Sequence, residues 1–141
     1  MLLAVPQSAI ACSFPPRKHD RCRASRIGVG FTLVTVIPIE ELRRSAMSAL
    51  FEGGDDAPIS FFVTEFPRGR GPDLHMHPYP EVLLVETGTA LFTMGERQFT
   101  VSGEHVVVVP AHTPHGFKGA GDDTLRVVSV HSSGTVIQTD L

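Results

Sequence analysis

A chain of 141 residues suits one domain with one sizeable hydrophobic core. Its 13 Gly and 11 Pro favour short strands and frequent turns over long helices, and no apolar run approaches the roughly 18 residues of a membrane helix. Residues 1–26 hold five of the 12 basic side chains and one of the 15 acidic ones, so the remainder carries 7 against 14, an acidic body that argues against a nucleic-acid surface.

Residues 1–33 read as a basic, disordered or weakly ordered tail, and residues 34–141 as the folded domain. Arg17, Lys18, Arg21, Arg23 and Arg26 give the tail its charge. Cys12 and Cys22 both lie in it, outside any patterned segment, so no disulfide framework is expected and a reducing cytoplasm is the default. The opening Met-Leu-Leu-Ala-Val-Pro-Gln-Ser-Ala-Ile-Ala-Cys has the outline of a lipoprotein signal. It lacks a basic n-region, however, and Pro6 and Gln7 break its apolar part. The expectation is that the start is placed too far upstream and that translation begins nearer Val34 or Val36.

After the tail, Phe31–Ile37 is apolar and β-branched, an edge strand closed by Pro38. Residues 39–51 carry apolar side chains at 39, 42, 46, 47, 50 and 51 with Glu40 and Glu41 in the first turn, which predicts a short amphipathic helix ended by Gly53-Gly54. Strands are then predicted at 59–66, 82–86, 90–94, 98–101, 106–109, 125–130 and 135–139, separated by turns such as Thr87-Gly88 and Gly95-Glu96. This cadence predicts an all-β barrel or jelly roll rather than βαβ units. Val106–Val109 does not alternate, so both its faces are expected to be covered.

The segment Gly-Pro-Asp-Leu-His-Met-His-Pro-Tyr-Pro-Glu, residues 71–81, places His75, His77 and Glu81 close together. Alternate residues of an extended strand share a face, so the imidazoles of His75 and His77 can meet one ion. Pro78 and Pro80 bend the chain and can return Glu81 to the same point. Imidazole plus carboxylate suits Fe, Mn, Co, Ni or Zn, whereas the plainer reading is two polar residues at a strand end. A second segment, residues 106–117, delivers His115 after an apolar strand and a proline-bounded turn, within reach as a fourth ligand.

These two segments resemble the cupin superfamily. Its first motif, G-x5-H-x-H-x3-E-x6-G, is met by Gly69, His75, His77, Glu81 and Gly88 without a spacing error. In its second, G-x5-P-x-G-x2-H-x3-N, Pro110 and His115 match. Gly103 lies one residue too far upstream, His112 replaces a glycine, and Gly119 replaces the asparagine. A bulge or longer turn can absorb the extra residue, and histidine tolerates a positive φ better than most residues. The likeness spans about residues 58–132 and implies a double-stranded β-helix with His75, His77, Glu81 and His115 as metal ligands. The ion would be Fe(II), Mn(II), Ni(II) or Zn(II). The resemblance also implies a homodimer, for which the edge strand Phe31–Ile37 is the candidate for pairing.

Around this set, His112 is either a hydrogen-bond donor behind a ligand, a proton carrier or a substrate contact, or else a loop histidine at the barrel mouth. His131 reads as a satisfied core or rim histidine. Arg68 and Arg70 precede the motif and could clamp a carboxylate substrate, or could be ordinary exposed loop arginines. Tyr79 either approaches the metal's surroundings or caps the rim. Four protein ligands on an ion that prefers five or six leave room for O2 or a small organic substrate, the arrangement of a cupin dioxygenase. The same site would also serve a non-redox isomerase or decarboxylase, or a module that only binds a metal or small molecule.

Overall fold

The computed structural model of the chain describes residues 25–29 and 32–141, in two units that meet at Val36/Ile37. In the first unit, β1 (Ser25–Val29) pairs antiparallel with β2 (Thr32–Val36). The edge strand expected over Phe31–Ile37 is thus one arm of a hairpin, and one of its edges is already taken. The tail residues 1–24 lie outside the described residues.

The second unit is all strand and turn. Its first elements correct the expected helix: Ile39–Leu42 is a single 3-10 turn, followed by β3 (Arg43–Ser45) and β4 (Ser48–Glu52). Ser45 supplies the reason. Its Oγ accepts from the Met47 N–H at 3.1 Å and meets Ser48 Oγ at 3.0 Å, closing a turn where a helix would continue. Leu50 and Phe51 then find cross-strand partners in Phe62 and Phe61 on β5 (Ser60–Phe66), and the Phe51 and Phe61 rings stack at 5.0 Å.

The rest follows as β6 (His75–Met76), β7 (Glu81–Thr87), β8 (Thr89–Met94), β9 (Arg97–Ser102), β10 (His105–Val109), β11 (His115–Gly119), β12 (Leu125–His131) and β13 (Thr139–Asp140). β11 was not expected as a strand, and the strand expected over Thr135–Thr139 is reduced to the two residues of β13. Two sheets form, of order β10-β7-β12-β5-β4-β3 and β13-β6-β11-β8-β9, with antiparallel neighbours throughout. Among the described residues no helix is long and apolar enough to cross a membrane.

Strand alternation places the interior. On β7 the inward residues are Glu81, Leu83 and Val85, and on β12 they are His131, Ser129, Val127 and Leu125. The register pairs His131 with Glu81, Ser129 with Leu83 and Val127 with Val85. On β11, His115 and Phe117 point the same way, with Phe117 opposite Phe92 of β8. The interior therefore changes character along the strands. One end is an apolar core of Leu83, Val85, Phe92, Val109, Leu125 and Val127, and the other end carries Glu81 and the histidines.

The departures from the second motif are resolved locally. Glu104 stands where that motif has glycine and takes φ 65 itself, while His112 takes φ 59. Gly119 has no room for a side chain, because a Cβ there would lie 2.7 Å from the Pro67 carbonyl oxygen. The outward face holds a further correction. Val106 and Val108 are 59 % and 61 % exposed, not covered on both sides. They begin two apolar rows that run over five of the six strands, Val106, Leu84, Val128, Val63, Ala49 and Val108, Val82, Val130, Phe61, Phe51, open at the β10 and β7 end and partly covered toward β4, where Ala49 is buried.

Candidate metal centre

Three of the four donors stand where a strand begins, and His77 follows directly on the end of β6. His75 opens β6 and His115 opens β11, and the two are direct cross-strand partners. Glu81 opens β7 after Pro78 and Pro80 have turned the chain, and the His112 N–H donates to the His77 carbonyl at 2.7 Å, tying the two motif segments together. The ligand atoms of His75, His77, Glu81 and His115 all lie within 4.8 Å of one another, and all four side chains are buried.

The hydrogen bonds behind these side chains orient them. Nδ1 of His75 donates to the Asp73 carbonyl (2.7 Å), Nδ1 of His77 to the Ile137 carbonyl (2.7 Å), and Nδ1 of His115 to the Thr113 carbonyl (2.8 Å). In a neutral ring this leaves every Nε2 as a lone pair aimed inward. The Nε2 of His115 lies 2.7 Å, and that of His77 3.4 Å, from the same Glu81 oxygen. Two lone pairs that close to a carboxylate repel unless a proton or a metal ion lies among them. Ligands about 2.1 Å from a common ion and at right angles are about 3 Å apart, and the two spacings to Glu81, 2.7 and 3.4 Å, bracket that value. His77 Nε2 has no hydrogen-bond partner despite its burial. The donor set therefore fits a metal ion, and the cluster is able to hold one.

Electrostatics agree at Glu81 and His75, whereas at His77 burial acts downward but Glu81 and the Ile137 carbonyl outweigh it and raise the imidazole. Burial by itself would raise the Glu81 carboxyl, but when the facing Nε2 atoms carry a proton, interaction with His115 and then His77 outweighs it and holds the group well below the usual carboxylate range. Burial lowers His75 and favours its neutral, metal-binding form. Burial also pushes His131 down to about 4, against the opposing pull of Glu81.

The other expected residues are placed differently. His112 has an exposed side chain and does not line the cavity beside the donors, so it contributes through its backbone N–H. Arg70 is likewise exposed and away from the cavity, and Arg68 reaches Asp122 at 3.1 Å on the surface. Tyr79 stacks flat on His77 at 5.3 Å while its hydroxyl accepts from the Ile137 N–H at 2.8 Å. It backs a ligand and is not among the cavity-lining residues. The residue that sequence reasoning underrated is His131: it is 2 % exposed, 3.5 Å from the second Glu81 oxygen, and part of the cavity wall. Its signal was the period-two run Leu125, Val127, Ser129, His131, which carries the inward face to the ligand end.

A family model for the cupin domain matches residues 62–131, covering both donor segments and His131. The chain belongs to the cupin superfamily. No curated protein sequence matches this cupin. Among solved structures it is similar to an RmlC-like cupin with a double-stranded β-helix fold from Methanocaldococcus jannaschii, at 15 % identity and TM-score 0.55 over 65 % of this chain and 85 % of that one. A conserved double-stranded β-helix protein from Klebsiella pneumoniae gives TM-score 0.62 at 15 % identity, over 74 % and 88 %. The oxalate decarboxylase of Lactobacillus farciminis gives TM-score 0.62 at 20 % identity, over 72 % of this chain but 34 % of that one. At these identities the likeness establishes the double-stranded β-helix.

Proposed function

We propose that this cupin binds a divalent Fe, Mn, Ni or Zn ion through His75, His77, Glu81 and His115 and acts on a small organic molecule by dioxygenase-type chemistry. One observation carries the reading: four buried donor atoms converge, with each imidazole locked by its Nδ1 so that only Nε2 faces the centre. Bound there, the ion supplies Lewis acidity toward a substrate oxygen and, if it is Fe or Mn, redox chemistry toward O2. The chain supplies the rest. His75 and Glu81 reach into a cavity of about 270 Å³, so a molecule there lies against the open side of the donor set. Phe62, Phe66 and Phe117 give that space an apolar wall.

The test is elemental analysis of the purified chain followed by O2-electrode assays with a catechol, a thiol and a β-diketone. Bound iron with substrate-dependent O2 uptake is the expected result. Turnover that persists without O2 would replace this reading with a non-redox isomerase or decarboxylase. Tight metal binding without turnover across the panel would leave a binding module.

The outward apolar rows support a homodimer in which a second copy covers this face. The strip crosses five strands, about 20 Å at their ~4.8 Å spacing. Beyond it Arg126 bridges Glu86 (2.8 Å) and Glu65 (3.2 Å), the polar border that such interfaces carry. Light scattering on a sizing column is expected to give twice the chain mass for the native protein and a monomer for Val106→Glu/Val108→Glu. A native monomer, or a dimer that survives both glutamates, removes this face as the interface.

A further inference from the structure

Three features of the cavity beside the donor set bear on what it accepts. The first is charge. Among the described residues no lysine or arginine lines it, and the acidic side chain in its wall is Glu81. A second negative charge on a ligand held by the ion would therefore meet no ammonium or guanidinium in this wall to pair with. The second is size and surface. A volume of about 270 Å³ would hold about nine waters at ~30 Å³ each, and so an organic molecule of about ten non-hydrogen atoms. Met47, Phe62, Phe66 and Phe117 make its apolar wall, and much of the wall's polarity is satisfied within the chain: Thr64 donates to the Val127 carbonyl at 3.0 Å, Ser45 and Ser48 share a hydrogen bond at 3.0 Å, and Gln138 donates to Asp140 at 2.6 Å.

The third feature is His131. It is 2 % exposed, lines the cavity, and neither of its ring nitrogens has a hydrogen-bond partner. Its ring is held in place by edge contacts with His77 at 4.7 Å, Phe62 at 5.7 Å and Tyr79 at 5.8 Å. A buried imidazole without partners is costly. A ligand oxygen that pairs with it would remove that cost and would at the same time lie next to Glu81 and the metal ligands.

We propose that this cavity takes a neutral or singly charged organic molecule with a ring-sized apolar body and a hydroxyl or carbonyl oxygen that hydrogen-bonds His131, and that it rejects small dicarboxylates. The inference rests on the reading of the site as a metal centre and names its substrate class. It separates this chain from the oxalate enzymes whose fold it shares, because oxalate is a dianion of only six non-hydrogen atoms. His131 is then a specificity-determining contact, set apart from the four ligands.

The experiment is isothermal titration of the full chain with 2-hydroxyacetophenone and with oxalate. The hydroxyketone is expected to bind at least about tenfold more tightly than oxalate. His131→Leu is expected to weaken hydroxyketone binding about tenfold, the worth of one buried hydrogen bond, with metal content unchanged. His131→Gln keeps a donor and an acceptor, and is expected to stay within about threefold of the native affinity. Tighter or equal binding of oxalate overturns the proposal, as does an unchanged affinity in His131→Leu. Equal losses in both variants would assign the histidine to the fold and also overturn its role. Elemental analysis of the same preparation reads the metal separately. Protein without metal contradicts the proposed function, and the same titrations on that protein still judge the cavity, whose walls and His131 belong to the chain itself.

Discussion

A His77→Ala variant is expected to lose at least about a hundredfold in metal affinity, and to hold less than about a tenth of the native metal after dialysis against a weak chelator. Breaking only a hydrogen bond behind a ligand typically costs 10–100-fold, and losing the ligand itself exceeds that. The geometry makes His77 the most telling of the four. Its Nε2 is buried without a hydrogen-bond partner, 3.4 Å from Glu81, while its Nδ1 is spent on the Ile137 carbonyl. Elemental analysis reads the result, and far-UV circular dichroism reads the fold. The matching control is His112→Gly, at an exposed side chain whose φ of 59 glycine adopts without strain. Its metal content should match the native protein. Full metal retention in His77→Ala would show that the four side chains do not share one ion.

Phe92→Ala is expected to cost about 3–5 kcal/mol, out of the 5–15 kcal/mol typical of a whole domain. Phe92 is fully buried, and its ring lies 5.2 Å from Phe117 and 5.6 Å from Phe99, at the apolar end of the interior. Truncation removes the packing that joins the two sheets there. Urea denaturation followed by circular dichroism measures the loss as a lower midpoint. Because the donors sit at the other end, the fraction that stays folded should still carry metal. Phe99→Ala, 38 % exposed, should cost clearly less. Equal costs at the two positions would mean that the core is not centred on Phe92.

The strands that alternate or run apolar between turn residues were legible in the chain: β5, β7, β8, β9, β10 and β12 all appear near their expected limits. Residues 39–51 were not, because apolar spacing over so short a window fits more than one period. What decided the matter was a Ser45 hydroxyl bonding its own backbone and a neighbouring strand ready to pair with Leu50 and Phe51. β11 escaped notice because Gly116 and Gly119 dilute its pattern. Those glycines are required by close approach, since a Cβ on Gly116 would lie 2.9 Å from the Asp73 carbonyl oxygen.

The site divides in the same way. His75, His77, Glu81 and His115 were legible from spacing and family likeness, because metal coordination demands particular donors at intervals that strand geometry can bring together. Arg70, Tyr79 and His112 were chosen for nearness along the chain, which says little about which way a loop side chain faces. Tyr79 turned out to support His77, and Arg70 and His112 to face solvent.

Local pattern therefore determined the all-β architecture, through period-two alternation, and together with the family likeness it pointed to the donor set. Only the tertiary structure decided that His131 stands opposite Glu81, that three phenylalanines but no lysine or arginine among the described residues line the cavity, and that Val106 and Val108 are exposed on an apolar outward face. Those are matters of cross-strand register and sheet closure, which join residues far apart in sequence and leave no short-range signature in it.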